Sequence, residues 1–255
     1  MPISFHDWIF SNYPPDAAIN GRWGVLHILT LALCMALIIL FSVWGNRRMR
    51  VRKPILYTLI AILLLFELTR RGINLSRGYN SNVPYMLRTL LPRPWCAISC
   101  WLLILAPVIR KPFFYNLCST NALLCALVFF AYPSVGFNHK YILFENVYSI
   151  VTHALLLICS ILLITLRFTD FRYVRRRRDS ALRELLGLAL IFAYAFFEVF
   201  GLKIEPDPMY FLPNNEVQGV LGVSYPLYMI IYVAFLMVYF NAFYMVQKLL
   251  SKRHI

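Results

Sequence analysis

Two residues carry the strongest suggestion of chemistry in this chain, Cys96 and His153. Each lies within a strongly apolar stretch. Cys96 closes the run Leu91-Pro92-Arg93-Pro94-Trp95-Cys96, where a hydrophobic segment begins, and His153 lies about two turns into another, 146–166. An imidazole within hydrogen-bond reach draws a thiol towards thiolate. A thiolate can take an acyl chain as a thioester and pass it to an alcohol. In surroundings this apolar, the substrate class such a pair suggests is lipid-like.

The elements that must hold the pair follow from composition. Hydrophobic residues make up 60% of the chain and charged residues only 14%, against about 25% charged in soluble domains. So few charges could not cover a surface facing water, and the mean hydropathy of +0.66 agrees. The expected class is all-α, a polytopic membrane helix bundle. Seven apolar stretches can be read, at 25–44, 54–69, 95–109, 113–132, 146–166, 185–202 and 220–246. Each is near the roughly 20 residues a helix needs to cross the hydrocarbon, although the second and third are short. No repeat or low-complexity tract interrupts them. The expected organisation is an N-terminal interfacial segment, 1–23, and a single seven-helix transmembrane domain, 24–255.

A net charge of +14 could signal nucleic-acid binding, but its distribution argues for topology instead. Most of the basic residues fall after the first, third and fifth stretches and in the tail. They include Arg47, Arg48, Arg50, Arg52 and Lys53, then Arg110 and Lys111, then the run Arg175 to Arg178, then Lys248, Lys252 and Arg253. By the positive-inside rule the N-terminus faces outside and the C-terminus the cytoplasm, with anionic headgroups as a further attraction. The expected location is the plasma membrane, and no nucleic-acid partner is expected. Segment 70–94 stands against this pattern, because it puts Arg70, Arg71, Arg77, Arg88 and Arg93 outside. Either they serve a function there or the segment is partly re-entrant. The first 23 residues lack a basic n-region and contain Asp7 and Asp16, so no cleavable signal peptide is expected. Phe5, Trp8, Ile9 and Phe10 suggest a short segment lying in the outer interface.

Ionisable residues inside spans are costly and therefore candidates for function. Besides Cys96 and His153 these are His27, Glu67 and Glu198. Given the topology, all five fall in the outer half of the membrane, on five different helices. Duller readings exist for each. Glu67 precedes Arg70 by three residues and Arg71 by four, spacing that permits a local helical pair. His27 can reach headgroup water, Glu198 can pair with Lys203, and Cys96 can be an ordinary buried thiol. Glu67, Glu198 or His27 could orient His153; the spacing does not choose. Arg70, Arg71, Arg88 and Arg93 on the same side could hold a lipid phosphate. Cys34, Cys118, Cys125 and Cys159 read as packing residues. Cys96 and Cys100, four apart, have no companion ligands at metal spacing, so no metal and no cofactor are expected.

The pattern resembles the YwaF-like integral membrane proteins, whose eukaryotic relatives include transmembrane protein 164, a phospholipid acyltransferase thought to use a cysteine and a histidine. The resemblance runs over nearly the whole chain. It rests on His27, Glu67, the Leu91-Pro92 and Cys96 of the Leu-Pro-x-x-x-Cys motif, His153, and the aromatic run Tyr225-Pro226-Leu227-Tyr228. It implies Cys96 as nucleophile and His153 as its partner. The chain departs from the family pattern at Pro94 and Ala97, where a histidine and an aspartate are usual, at Ala154, and at Asp207-Pro208-Met209-Tyr210.

The leading expectation is a lipid acyltransferase or related thioester-forming enzyme. Its partners would be membrane lipids, with an acyl-chain donor and a lysolipid acceptor. The alternative is a small transporter or lipid-binding protein without covalent chemistry. No half-to-half symmetry is visible, and only Pro107 falls late in a span, which weakens the transporter. A retinal-binding receptor needs a lysine inside its last span, and there is none before Lys248. Phosphate-loop, dinucleotide and zinc-protease motifs are absent.

Overall fold

The computed structural model describes residues 5–10, 23–77, 86, 89–92, 95–131, 134–137, 142–169, 177–202, 210 and 212–252. Among them there is helix and no strand. The order is α1 (Phe5–Phe10), α2 (Val25–Arg47), a 3₁₀ turn (Met49–Val51), α3 (Arg52–Arg77), α4 (Trp95–Ile109), α5 (Pro112–Ala131), the single turn α6 (Ser134–Phe137), α7 (Phe144–Thr165), α8 (Arg177–Phe196), α9 (Glu216–Leu221) and α10 (Tyr225–Lys252). Four of these, α2, α5, α7 and the Tyr225–Val246 part of α10, are long and apolar enough to cross a membrane. Helix α4 and the Leu185–Gly201 segment are shorter apolar helices. At 1.5 Å per residue α4 is about 22 Å long, short of a hydrocarbon core of about 30 Å.

Helix α8 begins at Arg177, eight residues before the stretch read from 185; two further boundaries differ from the sequence reading, each for a local reason. Helix α3 does not stop near residue 69 but continues to Arg77. Arg70 and Arg71 stay helical because acids take their charge: Arg71 pairs with Glu67 one turn back, and Arg70 with Glu145 at 3.3 Å. Residues 70–77 are therefore the end of a helix rather than a loop. The stretch 220–246 is not one helix. Asn215 caps α9 by accepting the Gln218 N–H at 2.9 Å, and Gly222 ends it in the left-handed region at φ +64°, a conformation glycine adopts without a Cβ clash. Helix α10 then restarts with Pro226 in its first turn, where a missing N–H costs nothing.

Helices α5 and α7 form the buried centre, while α2 and α10 bury few positions. Helix α7 packs on α2, α3, α4 and α5, and α5 also touches α8 and α10. Small residues let the backbones approach: Ala106, Cys118, Ala122, Ala126 and Cys159 are fully buried. Hydroxyls then bond across the interfaces, as expected where apolar faces gain nothing from leaving lipid. Ser119 Oγ donates to the Ser160 carbonyl (2.7 Å), Ser42 meets Thr165 (2.8 Å), and Tyr239 of α10 donates to the Thr120 carbonyl (2.7 Å).

Candidate functional site

One end of the bundle gathers the start of α2, the end of α3, the start of α4, the end of α5, the first turns of α7 and the end of α8. At its centre is Glu67, fully buried late in α3. Its carboxylate accepts hydrogen bonds from Arg71, one helical turn on, and from the Tyr148 hydroxyl of α7. The Cys100 thiol lies nearby. A buried carboxylate persists only with such a set of donors. Arg71 is itself committed, donating from Nε to the Leu90 carbonyl (3.2 Å) and lying over the Trp101 ring at 5.0 Å.

Arg70 takes the outer position. Its guanidinium lies over the Tyr148 ring at 4.6 Å, a cation–π distance, and pairs with Glu145, which Arg77 also reaches at 3.4 Å. Arg70 is the common electrostatic neighbour of the site. Cys96, Glu67, Tyr148 and Glu145 all feel its charge, and so does His153. Cys96 is half-buried in the first turn of α4, with Cys100 and Cys125 nearby.

His153, half-buried in α7, is held in two ways. Its ring stacks on Phe129 of α5 with centroids 3.8 Å apart and planes 9° from parallel. Its Nδ1 lies 2.7 Å from the Ser149 carbonyl. A carbonyl can only accept, so Nδ1 carries the proton and Nε2 keeps a lone pair. The orienting group is thus a backbone oxygen of the same helix, not Glu67, Glu198 or His27.

The five residues singled out from sequence lie at one end of the bundle but not in one contact set. Glu67, Cys96 and His153 share Arg70. His27 sits behind a wall of phenylalanines, fully buried, with Phe137 at 4.9 Å and Phe130 at 6.0 Å between it and the Phe129–His153 stack. Its Nδ1 accepts the Trp23 N–H at 3.2 Å, from a residue in the left-handed region at φ 59°. That ring closes the start of α2. Glu198 belongs to a π-helical turn, Phe197–Gly201, and accepts from Tyr194 at 2.8 Å on its own helix. Of the four arginines read as phosphate ligands, Arg71 faces inward and Arg70 is the more exposed; Arg88 and Arg93 lie outside the described residues.

Tyr148 and Glu145 were not singled out from sequence, and Cys100 was weighed only with Cys96 as a metal ligand. Glu145 and Tyr148 are three apart, so they share a helical face at the start of the same segment as His153. An acid facing a segment with five unexplained arginines was the available signal.

Helix α1 covers this end. Trp8 Nε1 donates to the Ile142 carbonyl (2.8 Å), its ring meets Phe144 edge-on at 5.9 Å, and Arg77 Nη2 donates to the Ile9 carbonyl (2.5 Å). Within the expected segment 1–23, Phe5–Phe10 is a short helix tied to α3 and α7.

Apolar helices long enough to span, polar side chains bonded between them and an ionised cluster at one end define a multi-pass membrane protein with a polar site. A model of the TMEM164 family matches residues 22–244, and the chain belongs to that family. No curated protein and no solved structure matches it.

Proposed function

We propose that the chain is a membrane acyltransferase in which Cys96 carries the acyl group and His153 moves the proton. The observation that supports it most is the hold on His153: the Ser149 carbonyl accepts from Nδ1 at 2.7 Å, which leaves the Nε2 lone pair to take a proton. In the first half-reaction His153 Nε2 takes the Cys96 proton, and the thiolate adds to the ester carbonyl carbon of a phospholipid. The ester C–O bond breaks, the acyl group stays on sulfur, and Nε2 returns the proton to the departing lysolipid oxygen. In the second, an acceptor lysolipid hydroxyl gives its proton to Nε2, its oxygen attacks the thioester, the C–S bond breaks, and Nε2 returns the proton to the Cys96 sulfur. Arg70 supplies positive charge for the carbonyl oxygen or for the lipid phosphate, with Arg88 and Arg93 as further phosphate ligands. Arg71 and Tyr148 hold Glu67 and so position Arg70.

The topology that goes with this reading has seven spans, the N-terminus outside, the C-terminus in the cytoplasm and the site in the outer half of the plasma membrane. Helix α4 and the Leu185–Gly201 segment would cross with tilt, and α3 would bury its paired charges within the bundle. Peptide mass spectrometry of protein purified with its lipids tests the chemistry. An acyl adduct on Cys96, absent from Cys96→Ser, is expected. Identical lipid profiles in cells carrying wild type and Cys96→Ala would overturn it. Uptake of lipid into proteoliposomes that ignores Cys96 substitution would favour the transporter.

A further inference from the structure

At the end of the bundle opposite Glu67, positive charge is exposed and unmatched. The α2–α3 connection carries Arg47, Arg48, Arg50, Arg52 and Lys53, and the α4–α5 connection carries Arg110 and Lys111. Neither stretch, 44–54 or 107–114, contains an aspartate or a glutamate. We infer that this end binds the headgroup of an anionic phospholipid, with Arg48, Arg50 and Lys53 as its central cations and Arg110 and Lys111 on its flank. The site is separate from Cys96 and His153, and it stands whether or not the chain transfers acyl groups.

Three observations carry it. The first is the contrast between the two ends. The ion pairs between described residues, Arg71–Glu67, Arg70–Glu145 and Arg77–Glu145, all lie at the Glu67 end. At the opposite end the side chains of Arg47, Arg48, Arg50, Lys53 and Lys111 are exposed, and among the described residues none has a hydrogen bond or an ion pair. Like charges this close repel one another, and a bound anion removes the repulsion. Helices α3 and α5 also start here with no acid in either first turn, so their dipoles add partial positive charge.

The second is that the cations are mounted on a built turn. Arg52 points back into it, donating from Nε to the Gly45 carbonyl (3.0 Å) and from Nη2 to Asn46 Oδ1 (3.0 Å). Asn46 Nδ2 in turn donates to the Thr165 carbonyl at the end of α7 (3.2 Å). These bonds close the end of α2 onto α3 and α7, and the 3₁₀ turn Met49–Val51 leaves Arg48 and Arg50 outside them. Tyr57, one turn after Lys53, lies near Tyr115 of α5, which also feels the charge of Arg110. The two basic connections therefore share one corner of the bundle before any ligand arrives, which lowers the ordering cost of binding.

The third is what surrounds the charges. Met49, 71% exposed, lies between Arg48 and Arg50, and Val108, 76% exposed, lies two residues before Arg110. Trp44 and Phe113 flank the two connections and are exposed as well. A soluble polyanion would neutralise the cations and leave these apolar side chains in water. A phospholipid offers its phosphate to the cations and its acyl chains to their apolar neighbours, the chemistry of basic sites at the ends of membrane helices.

The test titrates full-length protein in neutral detergent with phosphatidylglycerol or phosphatidylcholine and counts bound lipids by native mass spectrometry. Each basic residue adds about fivefold to affinity for an anionic lipid surface, so phosphatidylglycerol is expected to bind at least about tenfold more tightly. The triple variant Arg48→Ala, Arg50→Ala, Lys53→Ala should lose that preference with unchanged thermal unfolding, because none of the three side chains has a partner to lose. The double variant Arg48→Lys, Arg50→Lys should keep it. So should Lys248→Ala, Lys252→Ala, Arg253→Ala, which removes the same charge from the tail. Equal binding of the two lipids by the wild type overturns the proposal, as does a preference that survives in the triple variant. A loss as large in the tail variant would reduce the effect to net charge, and glycerol phosphate competing as well as phosphatidylglycerol would remove the lipid from it; either result also overturns the proposal.

Discussion

Glu67 shows how one buried charge organises its neighbours. It accepts from Arg71 and Tyr148 and adjoins Cys100, and Tyr148 in turn supports the guanidinium of Arg70. Glu67→Leu leaves Arg71 buried without its partner, a class of change that costs about 3–5 kcal/mol. Thermal unfolding in detergent should show that loss, and an unshifted midpoint would mean the pair is not buried. Tyr148→Phe keeps the ring beneath Arg70 and removes only the hydroxyl, so it should cost about 1–3 kcal/mol. On the proposed mechanism, His153→Gln should slow acyl transfer by about 10² to 10⁴-fold while leaving unfolding nearly unchanged. A variant with wild-type turnover would remove His153 from the reaction.

At the scale of elements, the short turn α6 matters more than its four residues suggest. A Cβ on Gly136 would lie 2.9 Å from the Phe129 ring and 3.1 Å from Ile150. Phe129 is the ring on which His153 stacks and is flanked by Phe130 and Phe137, so it has little room to yield. Gly136→Ala is therefore expected to destabilise by about 1–3 kcal/mol and to lower acyl transfer beyond what the lost stability explains. Equal activity per folded molecule would show that the stack does not position His153. Helix α1 offers a milder case. Removing the Arg77 side chain releases the Ile9 carbonyl and one arm of the Glu145 pair. Arg77→Ala should speed amide hydrogen exchange across 5–10, with a stability change of about 1–2 kcal/mol for a partly buried pair.

For the whole molecule, the prediction concerns which way the bundle sits. The proposed orientation puts the loop between α2 and α3 in the cytoplasm and the loop between α6 and α7 outside. In intact cells, a membrane-impermeant maleimide should label Lys140→Cys but reach Arg48→Cys only after permeabilisation. The reverse pattern would invert the topology and carry the Glu67–Arg70 end to the cytoplasmic side, with every contact in the site intact.

The amino-acid order alone determined the class and most of the helices, because apolar content and segment length are set residue by residue. The stretch 95–109 coincides with α4, and 113–132 and 146–166 lie within two residues of α5 and α7. It also marked the residues of interest, since an ionisable group in an apolar run stands out without any fold. Contacts decided the rest. Helix α3 runs past its apolar stretch because Glu145, far along the chain, neutralises Arg70. His27 parted from His153 because three phenylalanines from α5 and α6 fill the space between them. The partner of His153 Nδ1 proved to be the Ser149 carbonyl, which no residue type could announce. Depth in a membrane is a one-dimensional property and can be counted along the chain; which side chains touch at that depth depends on how the helices pack.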